Sequence, residues 1–239
     1  MLRSTSDELT PDEFNVTAGD GVTVIVRKKD LNQDVSVMWT PGNEFGTYET
    51  NWVVDYNTIT GEALDSMSYT KEINGYTFIV MGSDEEVMEE AYISDAQLEW
   101  LDESLAAATA DGKPVFVILH QPLKDTHGLP IPWGNGTNKN AGHVGDQSEE
   151  IQAILNEYKN VILISGHLHL GFGQYTYEKV GNFHAVNVPA IGKGNADGDY
   201  NEFSTGYSVE VYENEVLFRA RDYANGKYLA DYDFTITVE

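Results

Sequence analysis

The chain has no cysteine among its 239 residues. Disulfide bridges and thiolate metal sites are therefore excluded, and any bound metal must be held by His, Asp, Glu or Asn side chains. No apolar stretch approaches the roughly 20 residues that span a bilayer. Residues 1–8 also lack the apolar core of a signal peptide. We therefore expect a cytoplasmic protein, or an extracellular or cell-surface bacterial protein whose leader lies upstream of this chain.

Basic residues are also scarce. The sequence has 14 Lys and Arg against 39 Asp and Glu, a formal charge of −25. Such a charge repels nucleic-acid backbones and anionic lipid surfaces. We expect neither nucleic acid nor membrane as a partner, and we interpret most of the acidic excess as a solvated surface.

No repeat, linker or long run of one charge divides the chain, so residues 1–239 are expected to form one domain. Residues 69–81 predict a hairpin that turns at Asn74-Gly75. A helix should begin at Ser94 with a capping box to Gln97 and end before Gly112. From residue 172 onward the pattern predicts β-hairpins, with turns at Gly181-Asn182, Asn214-Glu215 and Asn225-Gly226.

Two continuous apolar runs, residues 114–119 and 161–164, predict strands buried on both faces. The first stops at His120 and the second just before Gly166-His167-Leu168-His169. A helix precedes each run, the second from Asp146 to about residue 158. Parallel strands end at the same edge of a sheet, so we expect the histidines to meet there, with His167 and His169 on one side if the backbone stays extended.

Histidine alone is a weak signal. A lone His-x-His pair occurs more often on a surface or in a core than in a metal site. His127 and His143 lie in the long loop 121–145, which is either part of a substrate pocket or an unstructured excursion. His184 falls in a predicted strand, and we expect it to be structural.

Taken together, these segments resemble the calcineurin-like metallophosphoesterase family. The resemblance rests on His120-Gln121-Pro122, on Gly166 to His169, on the helix sequence Gln97-Leu-Glu-Trp-Leu101, and on Pro41-Gly42-Asn43-Glu44. It implies an α/β fold, a four-layer α-β-β-α sandwich that is N-terminally incomplete. Residues 1–36 would be divergent or truncated, and residues 172–239 would form a β-hairpin-rich second sheet.

The resemblance further implies a site with two divalent ions, such as Mn, Fe or Zn. Asn43, His120 and His167 would bind one ion and His169 the other. Such ions polarise a phosphoryl group and generate a hydroxide nucleophile. The expected function is metal-dependent hydrolysis of phosphate mono- or diesters, with a small-molecule phosphoester as substrate.

The chain departs from the family pattern in its N-terminal part. No Asp-x-His precedes Asn43, and Gly42-Asn43-Glu44-Phe45 lacks the histidine of the family motif, so no catalytic residue is assigned. One ion or none would then bind, and the alternative is a non-catalytic metal- or ligand-binding relative. In the family an aspartate of a Gly-Asp motif bridges the two ions, and Asp20 is the candidate for it. Asp20 is otherwise a turn residue before a strand at 22–26, and we favour the turn.

Two further expectations concern association. A truncated chain would expose a sheet edge and form oligomers. The aromatic C-terminal strands would fit a carbohydrate-binding protein, but we expect tyrosines such as Tyr207, Tyr212, Tyr223 and Tyr232 to pack within the sheet.

Overall fold

The computed structural model describes residues 63–85, 90–127, 143–191, 198–202 and 204–239, together with the backbone of two N-terminal strands. These strands are β1 (Gly21–Val26) and β2 (Ser36–Pro41), which pair antiparallel. The strand predicted at 22–26 is thereby confirmed. Asp20, Asn43 and Glu44 lie outside the described residues.

A six-stranded mixed sheet forms the centre of the described fold. Its order is β3 (Tyr69–Ile73), β4 (Tyr76–Val80), β5 (Val115–Ile118), β6 (Val161–Ser165), β8 (Phe183–Asn187) and β7 (Tyr177–Val180). Neighbours from β4 to β8 are parallel, whereas β3 and β7 run antiparallel at the two edges. The carboxyl ends of β5, β6 and β8 therefore meet on one side. Association through a sheet edge stays a prediction.

Two helices, α1 (Asp95–Ala108) and α2 (Ser148–Glu157), pack on one face of this sheet. Ser94 caps α1 as predicted, since its hydroxyl accepts from the Gln97 amide at 3.2 Å. The return half of the capping box is wrong. Asp84 accepts from the Ser94 amide at 2.8 Å, and the Gln97 side chain donates to Asp84 at 2.7 Å instead. Helix α2 begins two residues after the predicted start at Asp146, and its Ile151 and Leu155 are buried.

A four-stranded antiparallel sheet packs on the opposite face. It contains β9 (Thr205–Val211), β10 (Glu215–Asp222), β11 (Lys227–Tyr228) and β12 (Phe234–Thr237), with a short 3-10 helix at Ala230–Tyr232. The hairpins at Asn74-Gly75 and Gly181-Asn182 form as predicted, and Gly226 turns with a φ of 64°. The β9–β10 turn lies slightly earlier than predicted, because Glu215 already belongs to β10.

Two hydrophobic cores lie on either side of the six-stranded sheet. Alternate residues of β5 serve them in turn: Val115 and Val117 face the helices, while Phe116 and Ile118 face the four-stranded sheet. The described residues thus form a helix layer and two sheet layers, which confirms the mixed α/β class and the strand-rich C-terminal part. The second sheet does not begin at residue 172 as expected but at β9, because β7 and β8 pair within the six-stranded sheet. Within those ranges no α-helix covers the outer face of the four-stranded sheet. The single-domain assignment stays a prediction.

The tyrosines of the C-terminal strands divide between the two faces. Tyr207 is buried and packs edge-on against Phe218 at 5.7 Å, as the packing interpretation predicts. On the outer face, Tyr228 is 48% exposed, but the guanidinium groups of Arg219 and Arg221 lie 4.2 and 4.3 Å from its ring centre. A ring already packed against two side chains is a poor stacking platform for a sugar. No helix in the described part is long and apolar enough to cross a membrane.

Candidate metal centre

Two of the predicted histidines meet at the carboxyl edge of the six-stranded sheet. His120 follows β5, and His167 lies just beyond β6. The Nδ1 atom of His167 is 3.1 Å from Nε2 of His120, and the rings are nearly perpendicular at a centroid distance of 4.9 Å. Each side chain is only 3% exposed. The sheet edge therefore brings together two imidazoles that are 47 residues apart in sequence.

Gly166 connects the backbones of the two histidine segments. Its N–H donates to the carbonyl of His120 at 2.9 Å, and its own carbonyl accepts from the amide of Leu168 at 2.7 Å. His167 and His169 then have φ values of 66° and 51°, in the left-handed region. The segment does not stay extended, so the condition for placing both rings on one side is not met.

A left-handed backbone at a residue other than glycine costs on the order of 1–3 kcal/mol and persists only where surrounding contacts enforce it. Here two such residues, His167 and His169, occur within three positions, as Asp125 and His127 also do. The backbone therefore stores strain at the point where the sequence places its histidine pair, a feature that is common at functional sites.

The other two predicted ligands are His169 and Asn43. His169 is half-buried, and Asn43 lies outside the described residues. Within the part of the chain that the structure describes, no three His, Asp or Glu side chains are grouped closely enough to hold a metal ion. The complete four-residue set therefore stays a prediction.

The separation of the two imidazole nitrogens fits a shared ion. A metal about 2.0–2.1 Å from each of two nitrogens holds them roughly 2.9–3.4 Å apart, for octahedral to tetrahedral angles. The observed 3.1 Å lies in that range. It also fits a hydrogen bond from a protonated ring nitrogen to a bare one. His120 and His167 thus fit a divalent ion as two of its ligands, and the remaining ligands have to come from other groups.

Asn187 is a site residue that the sequence pattern did not single out. It ends β8, is 1% exposed, and donates from Nδ2 to the Gly166 carbonyl at 2.6 Å and to Ser165 Oγ at 3.1 Å. A polar residue at the carboxyl end of a buried strand beside β6 was the available signal. Its partner lies 21 residues away in sequence.

The ends of the long loop 121–145 are ordered and buried. His127 is 2% exposed and His143 is 8% exposed, so an unstructured excursion is wrong for both residues. Burial lowers the pKa of His127 to about 4. The backbone N–H of His127 donates to the Glu178 carboxylate. His127 is therefore a neutral, buried imidazole at pH 7, and the middle of the loop lies outside the described residues.

The segment that follows His169 packs closely against the loop that contains Asp199 and Tyr200. The Phe172 amide donates to the Tyr200 carbonyl at 2.9 Å, and the Asp199 amide donates back to Phe172 at 2.7 Å. A Cβ atom added to Gly171 would lie 2.4 Å from the Tyr200 carbonyl oxygen. Glycine is required at position 171 for this backbone contact.

His184 lies at the other edge of the sheet. Its Nδ1 atom is 2.9 Å from the Tyr177 hydroxyl, and burial, with a smaller contribution from Lys179, lowers the pKa of its imidazole. It pairs with Ile162 near the start of β6, whereas His167 lies beyond the other end of that strand.

The chain matches no protein-family model and no curated protein. Among solved structures it is similar to a dimetal phosphatase from Danio rerio at 14% identity and a TM-score of 0.48, over 72% of this chain and 61% of that one. It is similar to PhoD at 12% identity and a TM-score of 0.47, over 74% and 43%. It is also similar to Vps29 from Entamoeba histolytica complexed with zinc, at 14% identity and a TM-score of 0.27, over 68% of this chain and 99% of that one.

The chain thus spans only 61% of the dimetal phosphatase and 43% of PhoD. His120 and His167 supply the geometry of the candidate metal centre.

Proposed function

We propose that the protein is a metal-dependent hydrolase of phosphate mono- or diesters and that His120 and His167 bind one divalent cation. The observation that carries the proposal is the 3.1 Å separation of their ring nitrogens at the carboxyl edge of the sheet. Open α/β sheets usually bind their ligands at this edge. A divalent cation supplies a Lewis acid there and activates water for attack on phosphorus.

The chain's own residues would contribute binding, orientation and exclusion of solvent. His120 and His167 are each 3% exposed, so their rings are fixed and shielded from bulk water. His169, two residues further along, and Asn43 are the proposed additional ligands. A charge of −25 disfavours the approach of an anionic substrate, so productive binding would depend on the positive charge of the cation.

A non-catalytic relative that holds one ion or a small ligand is the second candidate. It is favoured by the lack of a third His, Asp or Glu near the pair within the described ranges. The sequence Gly42-Asn43-Glu44 also lacks the histidine that the family motif places after Asn. This candidate binds metal through the same two imidazoles but turns over no phosphoester.

Metal analysis, titration calorimetry with Mn²⁺ and Zn²⁺, and turnover of p-nitrophenyl phosphate and its diester test the proposal. We expect His167→Ala to abolish metal binding and turnover. His184→Ala, at a histidine on the opposite edge of the same sheet, should keep both, and circular dichroism should show that both variants are folded.

The outcomes separate the candidates. Metal binding with turnover that depends on His167 supports the hydrolase. Metal binding without turnover favours the non-catalytic relative. If the wild-type chain binds neither ion, the metal centre itself is contradicted.

A further inference from the structure

Asn187 is buried at the point where the two histidine segments are joined. It is the last residue of β8, and its neighbour in the parallel register is Ser165, the last residue of β6. The amide of Val188 donates to the Ser165 carbonyl at 2.7 Å, so the two strand ends are held together by backbone bonds as well. The side chain of Asn187 is thus placed against the residues that lead into His167.

The main target of this side chain is the carbonyl of Gly166, which accepts from Asn187 Nδ2 at 2.6 Å. The Gly166 carbonyl and the N–H of His167 belong to one planar peptide unit. Anchoring the oxygen fixes the orientation of that plane, and His167 leaves it with a φ of 66°. Asn187 therefore holds the peptide plane from which the His167 backbone continues.

The opposite side of Gly166 is tied to the second histidine. Its N–H donates to the carbonyl of His120 at 2.9 Å. One residue thus receives Asn187 on its carbonyl and reaches the His120 segment through its amide. Gly166 therefore links Asn187 to the His120 backbone, and its carbonyl also accepts from the Leu168 amide at 2.7 Å.

We infer that Asn187 is a positioning residue for the His120–His167 pair, holding Gly166 so that His167 keeps its left-handed backbone and its ring faces His120. It touches neither substrate nor ion in this role. The ring geometry follows from the hydrogen bonds alone, whereas the effect on metal affinity rests on the proposed function.

A purely structural role is the competing explanation, in which Asn187 only joins β8 to β6. Asn160 provides a matched control for it. Asn160 is 8% exposed at the start of β6, and its Nδ2 atom likewise donates to a glycine carbonyl, that of Gly112, at 2.8 Å. A general loss of stability would affect both asparagine variants, but a change in the histidine pair should follow only Asn187.

The test uses Asn187→Ala and Asn187→Asp, with Asn160→Ala as control. Asn187→Asp keeps the side-chain size but places a carboxylate oxygen against the Gly166 carbonyl, so it remains informative where the alanine variant fails to fold. The first readout is the set of imidazole ¹H–¹⁵N resonances of the metal-free protein. The second is Zn²⁺ and Mn²⁺ affinity by calorimetry, alongside thermal melting.

We expect both Asn187 variants to shift the His120 and His167 ring resonances and to weaken metal binding about 10–100-fold, as for other partners that orient a ligand. Asn160→Ala should lower the melting temperature while leaving resonances and affinity as in the wild type. Wild-type ring resonances in both Asn187 variants would overturn the inference. If the wild-type chain binds no metal, the proposed function fails, and the resonances of the metal-free variants still decide the role of Asn187.

Discussion

The two ends of strand β6 are held by similar hydrogen bonds but differ in which residue has the left-handed backbone. At the amino end Asn160 donates to the Gly112 carbonyl, and at the carboxyl end Asn187 donates to the Gly166 carbonyl. Each end also contains a left-handed residue, Asn160 with a φ of 60° and His167 with a φ of 66°. Both ends therefore use a buried amide to hold a glycine-containing connection.

The difference lies in which residue is left-handed. Asn160 tolerates that region and satisfies its own side chain, since it donates to the Glu239 carbonyl at 3.0 Å and accepts from the Glu239 amide at 2.8 Å. At the carboxyl end the left-handed residue is a histidine, and the carbonyl before it accepts from Asn187 of another strand. At the amino end the Asn160 side chain is fully used in hydrogen bonds to the backbone, whereas at the carboxyl end the ring nitrogens of His120 and His167 face each other.

A cavity of about 30 Å³ at the amino edge is lined by Lys159, Asn160, Lys179, Asn182, His184, Thr237 and Glu239. Its volume corresponds to about one water molecule, which is too small for a phosphoester.

Removing the Asn160 hydrogen bonds at the amino end should have the largest effect on stability. Asn160→Ala loses three hydrogen bonds and puts alanine in a left-handed backbone. At about 1 kcal/mol for each bond and a similar cost for the backbone, we expect a loss of roughly 3–4 kcal/mol. Urea unfolding measures it. If the free energy of unfolding fell only as little as for a substitution at an exposed site, the three Asn160 hydrogen bonds would not stabilise the amino end of β6.

Acid should lower the stability of the fold through His127. Its pKa of about 4 lies below the ordinary value of 6.5, so the unfolded chain takes up a proton first as pH falls. Stability is therefore lost as pH drops from 6.5 to about 4, by at most about 3 kcal/mol from this residue.

His127→Asn, which suits the φ of 62° at this position, should remove that part of the pH dependence. Unfolding free energies measured across this pH range test it. His184→Asn at the amino edge should flatten the profile less, because that ring is less deeply enclosed. Equal pH profiles for wild type and His127→Asn would show that His127 is not a buried neutral imidazole.

Making the carboxyl end resemble the amino end should separate stability from binding. His167→Asn places a residue that tolerates left-handed backbone where histidine is strained. We expect relief of strain to offset part of the lost ring packing, with a net change of about 1 kcal/mol or less. Metal affinity should fall by more than about 100-fold, which is a larger decrease than the one expected when a residue that only orients a ligand is removed. Retained affinity would show that His167 is not a ligand.

Much of this architecture follows from local sequence patterns. The apolar runs before His120 and His167 predict buried parallel strands, and Asn74-Gly75 predicts its hairpin, because burial and turn geometry act over a few residues. The histidine pair follows from strand order, since parallel strands end at one edge.

The remaining features depend on contacts that are distant in sequence. Gln97 was assigned to a capping box, but Asp84, 13 residues earlier, takes its side-chain donor. The Gly166 carbonyl beside the left-handed His167 accepts from the Leu168 amide and also from Asn187, and the second of these bonds comes from a residue 21 positions away. His127 and His143 are buried because the ends of their loop pack on the fold, which loop length alone does not predict.

The sharing of β5 between two cores has a consequence for how the molecule opens. Because Val115 and Val117 pack against the helices while Phe116 and Ile118 pack against the second sheet, neither layer can detach without disturbing this strand. Its amides should be among the slowest to exchange with deuterium, opening only when both cores are lost. His120, which follows β5, would then stay in place through the local fluctuations of the loops around it.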